Sequence, residues 1–282
     1  RRPSPPWPPA RKLHPRPPAP RVRELVRRRR VLVRQRAQCV NQVQQVLEGG
    51  NNKLSSVATD VMGVSGRAMI EAMIAGTTDP DALARLARGR MKEKQDSLKA
   101  AVEGGLGDHQ RFLLKSLLRQ VDFLDNEIDA LSTEVEQRMA TMDAALPKPA
   151  EGEEDETAPL PFSQAMTLLD SIPGIDRRVA EDVLAEIGLD MSRFPTSAHI
   201  ASWACLCPGN RESAGKHQPV RTRQGNPWLR SILSEAAWGA MRKHNSYLPR
   251  LYYRIAAKRG KQRANIALAH AILVIAYVVL SN

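Results

Sequence analysis

Apolar positions recur along most of this chain at intervals of three and four residues, the period of a helix with one buried face. From residue 22, Val22, Leu25, Leu32, Val40, Val43 and Leu47 fall near one side of a long helix that stops at Gly49-Gly50. The spacing predicts two further helices over 53–75 and 79–103, the second opened by Asp79-Pro80, a capping residue followed by proline at the first helical position. The most regular stretch follows: Leu114, Leu117, Val121, Leu124, Ile128, Leu131 and Val135 step by three and four, the seam of a coiled coil. Two partners for that seam stay open, the basic helix 22–47 of the same chain or the equivalent helix of a second subunit. Beyond residue 162 the pattern predicts a helix, a tight Ile172-Pro173-Gly174-Ile175 turn and a second helix. Helices near 197–205, 227–243, 246–258 and 261–280 follow. No stretch alternates as a half-buried strand does, so the expected class is mainly α, with long coiled-coil helices followed by a helical domain containing a helix-hairpin-helix.

Composition divides this helical run. Residues 1–20 hold nine prolines and are expected to form a disordered Pro/Arg-rich tail. The stretch 146–161, "LPKPAEGEEDETAPLP", carries five acids between prolines and is expected to be an extended acidic linker. The domains read from this are the tail, a helical coiled-coil region over 21–145, the linker, and a C-terminal helical domain over 162–282.

Charge sharpens the picture. The net charge is +12. Residues 1–36 contribute 13 Lys or Arg against Glu24 alone, and residues 165–282 contribute 16 against eight acids, whereas the middle holds 13 against 21. Two basic ends around an acidic middle suit a polyanionic partner, because neutralising phosphates releases counterions. Three cysteines, Cys39, Cys205 and Cys207, are too few for a disulfide framework, and Cys205-Leu206-Cys207 lacks the second pair of a structural zinc site. The apolar run Ala264–Leu280 is 17 residues long and contains Asn265 and His270, which favours a buried helix over a membrane span. The expected location is the cytoplasm, with no membrane partner.

Two motifs carry chemistry. The turn at 172–175 fits a helix-hairpin-helix, in which Gly174 and the start of the next helix face a DNA phosphate and Arg177 and Arg178 add charge. Asp176 stands where a second turn glycine is usual, and a plain αα-hairpin packing Leu168, Ile172, Ile175, Val179 and Ile187 is the alternative. The second motif is "NRESAGKHQPVRTRQGNPWLR", residues 210–230. Its small residues around Ser213, Ala214 and Gly215 let backbone approach a phosphate, Lys216 supplies a point charge, and Arg221, Arg223 and Arg230 supply forked donors. By spacing, Ser213 is either a nucleophile or a hydrogen-bond donor in a phosphate-gripping loop. Arg27, Arg28, Arg29 and Arg30 form the densest basic run and are further candidates for nucleic-acid contact.

"IPGIDRRVAEDVLAEIG", "FPTSAHIASWACLCPGNRESAGK", "RTRQGNPWLRSILSEAAW" and "KRGKQRANIALAHAILVIAY" resemble the C-terminal transposase domain of insertion-sequence family 110, relatives of the Piv DNA invertases. "PRVRELVRRRRVLVRQR" and "LEGGNNKLSSVATDVMGVSGRAMIEAMIAG" resemble that family's central helical region, so the resemblance runs from about residue 14 to the end. It implies a recombinase in two halves: a RuvC-like domain whose acidic tetrad holds Mg2+, and a C-terminal domain whose serine, Ser213 here, attacks the DNA backbone. The RuvC-like half has no counterpart in these residues. The expectation is therefore a truncated or frameshifted copy, inactive alone, with no metal site of its own and Mg2+ arriving only with the other half. DNA is the expected partner, with a structured guide RNA and self-association through the coiled coil as further expectations. A non-catalytic nucleic-acid-binding dimer and a helical scaffold for acidic partners are the rival readings.

Overall fold

A computed structural model describes residues 20–146, 160–207, 212–213, 216–217, 225–243 and 246–281. The chain forms two compact units, residues 28–133 and residues 1–27 with 134–282. The expected proline-rich tail and most of the expected acidic linker lie outside the described residues. Among the described residues the fold is mainly α, as the periodicity predicts, and the only β structure is a pair of two-residue strands.

The first unit, 28–133, takes the greater part of α1 (Pro20–Gly49) and α6 (Asp108–Ala144). Between them run α2 (Leu54–Val57), α3 (Val64–Ile74), α4 (Pro80–Ala84) and α5 (Gln95–Ala101). The two uninterrupted helices expected over 53–75 and 79–103 are each broken. The Asp60 carboxylate accepts the Met62 N–H at 2.9 Å, an Asx turn that interrupts the first. Gly89, at φ +55°, starts a 3-10 turn over Gly89–Lys94 that interrupts the second. The Asp79 cap is present, its side chain accepting from the N–H groups of Asp81 and Ala82. Leu114 and Leu118 of α6 close over a core with Val43, Leu47, Leu54, Met69, Ile70, Leu83 and Leu98. Further along α6, Val121, Leu124 and Ile128 pack on Leu32 and Cys39 of α1, so the partner of this part of the seam is the chain's own α1. Arg36 forms a two-pronged ion pair with Asp125, and Arg67 grips Asp122 at 2.8 Å through both Nη1 and Nη2.

The second unit contains the start of α1, the end of α6 and six more helices: α7 (Phe162–Asp170), α8 (Arg177–Ile187), α9 (Ser197–Trp203), α10 (Pro227–Met241), α11 (Tyr247–Arg259) and α12 (Lys261–Ser281). The end of α6 caps the start of α7: the Asp143 carboxylate accepts the N–H groups of Phe162 and Ser163 at 2.6 and 2.9 Å. At the centre is α12, whose Ala264, Leu268, Ala269, Ile272, Leu273 and Ala276 are buried against α7, α9, α10 and α11. By length and composition α12 is apolar enough to cross a membrane. Here its apolar residues supply the core of a helical bundle, and its buried Asn265 donates to the Ser234 carbonyl of α10 at 3.1 Å.

Candidate functional site

The motif around Ser213 begins on the strand pair. β1 (Glu212–Ser213) and β2 (Lys216–His217) are antiparallel, with Ser213 opposite Lys216 and Glu212 opposite His217. Antiparallel pairing of these four residues places the backbones of Ser213 and Lys216 side by side. Gly215, Arg221 and Arg223 lie outside the described residues.

The two ends of the segment that carries this motif are fixed against each other. On the incoming side Leu206 is buried and its N–H donates to the Ala201 carbonyl at 3.1 Å, while Cys205 adopts φ +53°. On the outgoing side Gly225 lies so close that a Cβ on it would stand 2.6 Å from the Cys205 Sγ and 3.0 Å from the Trp203 carbonyl oxygen. Only glycine permits this approach, and it joins the feet of the segment. The next residue, Asn226, caps α10 by accepting from the N–H groups of Trp228 and Leu229, with Pro227 at the first helical position.

A buried carboxylate anchors that cap. Glu186 of α8 is fully buried and accepts from Arg27 Nε at 2.7 Å, Arg27 Nη2 at 2.9 Å and Asn226 Nδ2 at 2.6 Å. Arg23 lies alongside, donating to the carbonyls of Ala185 and Glu186, and its burial lowers the guanidinium pKa while Glu186 opposes that shift. The Arg27 guanidinium also sits 5.5 Å from the Trp228 ring centroid. A buried carboxylate is tolerable only when its oxygens are this fully satisfied. One side chain of α8 therefore ties the start of α1 to the residue at which the Ser213 segment ends. The sequence places a helix near 227–243, but Arg27, Glu186 and Asn226 are too far apart in the chain for any spacing rule to connect them.

The helix-hairpin-helix candidates divide. Gly174, at φ +91°, faces α10: a Cβ there would come within 2.2 Å of the Ala236 carbonyl oxygen and 2.6 Å of the Ala240 nitrogen. Its missing side chain is required by packing. Asp176 accepts the Val179 N–H at 2.8 Å and so caps α8, placing its own carboxylate at the helix end that a phosphate would use. Ile172, Ile175 and Ile187 are core residues, and Leu169, one position on from Leu168, is the buried leucine of α7. Arg177 reaches Glu136 at 3.4 Å and Glu181 at 3.6 Å, whereas Arg178 is exposed with no ion pair among the described residues. Arg230 is half-buried in the first turn of α10. Of the α1 arginines besides Arg27, Arg28 is exposed, Arg29 is buried and Arg30 half-buried, the last two both engaged by other groups.

Cys207 Sγ lies 3.9 Å from His270 Nδ1. Burial raises the thiol pKa and lowers that of the imidazole, so both are neutral near pH 7. No three His, Cys, Asp or Glu side chains among the described residues come together as a metal requires.

This bundle is where known proteins are similar. Residues 166–254, from α7 into α11, match the model of the transposase IS116/IS110/IS902 family. The chain is also similar to an insertion element IS110 uncharacterized 43.6 kDa protein of Streptomyces coelicolor, 35% identical over 105 residues that make up 36% of this chain and 24% of that protein. It spans about a quarter of the length of that curated relative. The matched region contains Glu186, Ser213, the Asn226 cap and most of α11.

Proposed function

We propose that this chain is the C-terminal, DNA-handling part of an insertion-sequence transposase, and that the segment around Ser213 holds a scissile phosphodiester. The match of residues 166–254 to the transposase family carries the reading. What supports it locally is the architecture of the segment: its feet are joined at Cys205 and Gly225, and its outgoing foot is anchored on buried Glu186. A loop that must present groups to a reacting phosphate needs such a rigid base. Lys216, Arg221 and Arg223 bind the phosphate oxygens. Ser213 is the nucleophile: its Oγ forms an ester with phosphorus, its proton passes to a base, and the bridging oxygen leaves as a sugar hydroxyl. The acidic, metal-holding half of such an enzyme is a RuvC-like domain, and strand transfer requires both halves. Self-association through the α6 side, where Phe112 and Phe123 are exposed, belongs to the same proposal.

The test separates binding from chemistry. Lys216→Ala with Arg221→Ala and Arg223→Ala should weaken duplex binding, measured by fluorescence anisotropy, by tenfold or more, while Ser213→Ala leaves it nearly intact. In a fusion to an acidic-tetrad RuvC-like domain, Ser213→Ala should abolish strand transfer and the protein–DNA covalent adduct. An adduct that maps to another residue, or full recombination by the alanine variant, removes Ser213 from the mechanism.

A further inference from the structure

From residue 236 to the end the sequence holds eight Lys or Arg and no Asp or Glu. The fold gathers several of these on one surface. Arg250, Arg254 and Lys258 follow one another at four-residue spacing along the exposed side of α11, and Lys261 and Arg263 occupy the exposed first turn of α12. None of the five makes an ion pair among the described residues.

This arrangement is electrostatically unfavourable in the protein alone. Like charges four residues apart on a helix repel, at a cost of about 0.2–0.5 kcal/mol per pair. Lys261 and Arg263 sit at the positive end of the α12 dipole, and neither α11 nor α12 has an acid in its first turn. An anionic partner would relieve each of these repulsions.

Exposed aromatic rings stand on α11 and on its neighbour α10. Tyr247 is 64% exposed, Tyr253 61% and Trp238 40%. Tyr252, only 3% exposed, meets Tyr253 edge-on at a centroid distance of 5.4 Å and an interplanar angle of 84°, and meets Trp238 at 5.9 Å. A buried ring thus braces two exposed ones. The exposed positions of α11 carry only tyrosine, arginine, lysine and Ala257. That excludes the aliphatic face by which an amphipathic helix enters a membrane and leaves cations beside stacking platforms.

We infer that the outer face of α11, with the first turn of α12, is a second nucleic-acid surface, which holds a single strand by laying its phosphates along Arg250, Arg254 and Lys258 and stacking an unpaired base on Tyr253. The three cations rise about 6 Å from one to the next along the helix axis, a step commensurate with successive phosphates of an extended strand. Tyrosine stacking is indifferent to base identity, so the surface takes single-stranded DNA or RNA without reading its sequence. The inference rests on the transposase reading only for the kind of polymer, since the charges and rings stand on their own.

The experiment measures anisotropy of labelled oligothymidine, oligouridine and a duplex of equal length on the full chain, across a range of salt. Combined Arg250→Ala, Arg254→Ala and Lys258→Ala should weaken oligothymidine binding at least tenfold. It should also flatten the log K against log salt slope by about 2, at roughly 0.7 per phosphate contact. Tyr253→Ala should weaken single-strand binding by about five- to hundredfold with the slope unchanged, and Tyr253→Phe should restore it. Thermal unfolding of these exposed variants checks that the fold is kept. The better-bound oligonucleotide then names the polymer. Unchanged oligothymidine affinity in the triple variant overturns the inference. So do equal losses on duplex and single strand with Tyr253→Ala silent, or capture of the chain by phosphatidylserine vesicles without oligonucleotide binding. The variant Lys216→Ala with Arg221→Ala and Arg223→Ala separates the two proposals: it should lose duplex and keep oligothymidine. If it loses neither while the α11 variant loses oligothymidine, the Ser213 reading fails and this surface stands.

Discussion

Along α1, Arg23 and Arg27 close on the buried carboxylate of Glu186, Arg36 pairs with Asp125, and Arg29, Arg30 and Arg34 are engaged as well. Along α11 and the opening turn of α12, Arg250, Arg254, Lys258, Lys261 and Arg263 meet no carboxylate among the described residues. In the sequence the first run is the denser, and by charge alone it is the better candidate for a polyanion. The structure reverses that ranking. An arginine whose donors are already committed to a carboxylate must give them up before it binds a phosphate, whereas an unpaired one is ready. A count of cations therefore measures potential, and the acids folded against them decide how much is left for a partner.

The strongest way to break this comparison is to remove the acid that engages Arg23 and Arg27. Glu186→Ala leaves the half-buried Arg27 guanidinium without its carboxylate and the Asn226 amide without its acceptor. Breaking a buried pair from one side costs about 3–5 kcal/mol. Urea unfolding should show that loss, while the triple alanine variant of α11 stays within about 0.5 kcal/mol of wild type, as exposed substitutions do. If Glu186→Ala unfolded at the wild-type midpoint, Arg23 and Arg27 would be no more committed than the cations of α11, and the distinction would fall.

A smaller loss is expected at Gly174, where the question is whether the hairpin turn serves the interior or a ligand. An alanine there must hold φ near +91° and place its Cβ against the Ala236 carbonyl. The left-handed conformation costs roughly 1–2 kcal/mol and overpacking about 1–3 kcal/mol. Gly174→Ala should lower the unfolding midpoint yet leave duplex affinity of the folded protein unchanged. Weakened affinity at full stability would instead give the turn back to the nucleic acid.

Much of the helical plan was legible in the sequence because it is local. The 3.6-residue period gave α1, α6 and α7 to α12, and Asp79-Pro80 announced the start of α4. The breaks at Asp60 and Gly89 were missed because the apolar period continues across them while a side-chain hydrogen bond and one positive φ interrupt the backbone. Nothing local could show that Gly174 is pressed on α10, that Asp143 caps α7, or that Glu186 joins Arg27 to Asn226, since each depends on residues brought together from distant parts of the chain. In the candidate site, Ser213 and Lys216 stood out by composition and were drawn together by a strand pair too short for any alternating pattern to reveal. The α11 face was overlooked for a different reason: its cations are spread over two helices, and only their common exposure and missing acids set them apart.

The smallest expected effect lies in the Arg36–Asp125 pair, which tests where engagement ends. Both side chains are more than a third exposed, 35% and 43%, although the contact is two-pronged and the hydrogen bond to Asp125 raises the Arg36 pKa. Solvent screens such a pair, so a double-mutant cycle with Arg36→Ala and Asp125→Ala should return a coupling of about 0.2–1 kcal/mol. Raising the salt to about 1 M shortens the screening length to roughly 3 Å and should remove most of that coupling, whereas the Glu186→Ala loss should persist because its charges are shielded from ions by the protein. Arg36 would then be a weakly held cation, intermediate between Arg27 and Arg254 and open to competition from a polyanion at low salt. A coupling that survived high salt undiminished would place Arg36 with Arg27 and draw the line between committed and available cations more sharply, between the paired arginines of α1 and the face of α11.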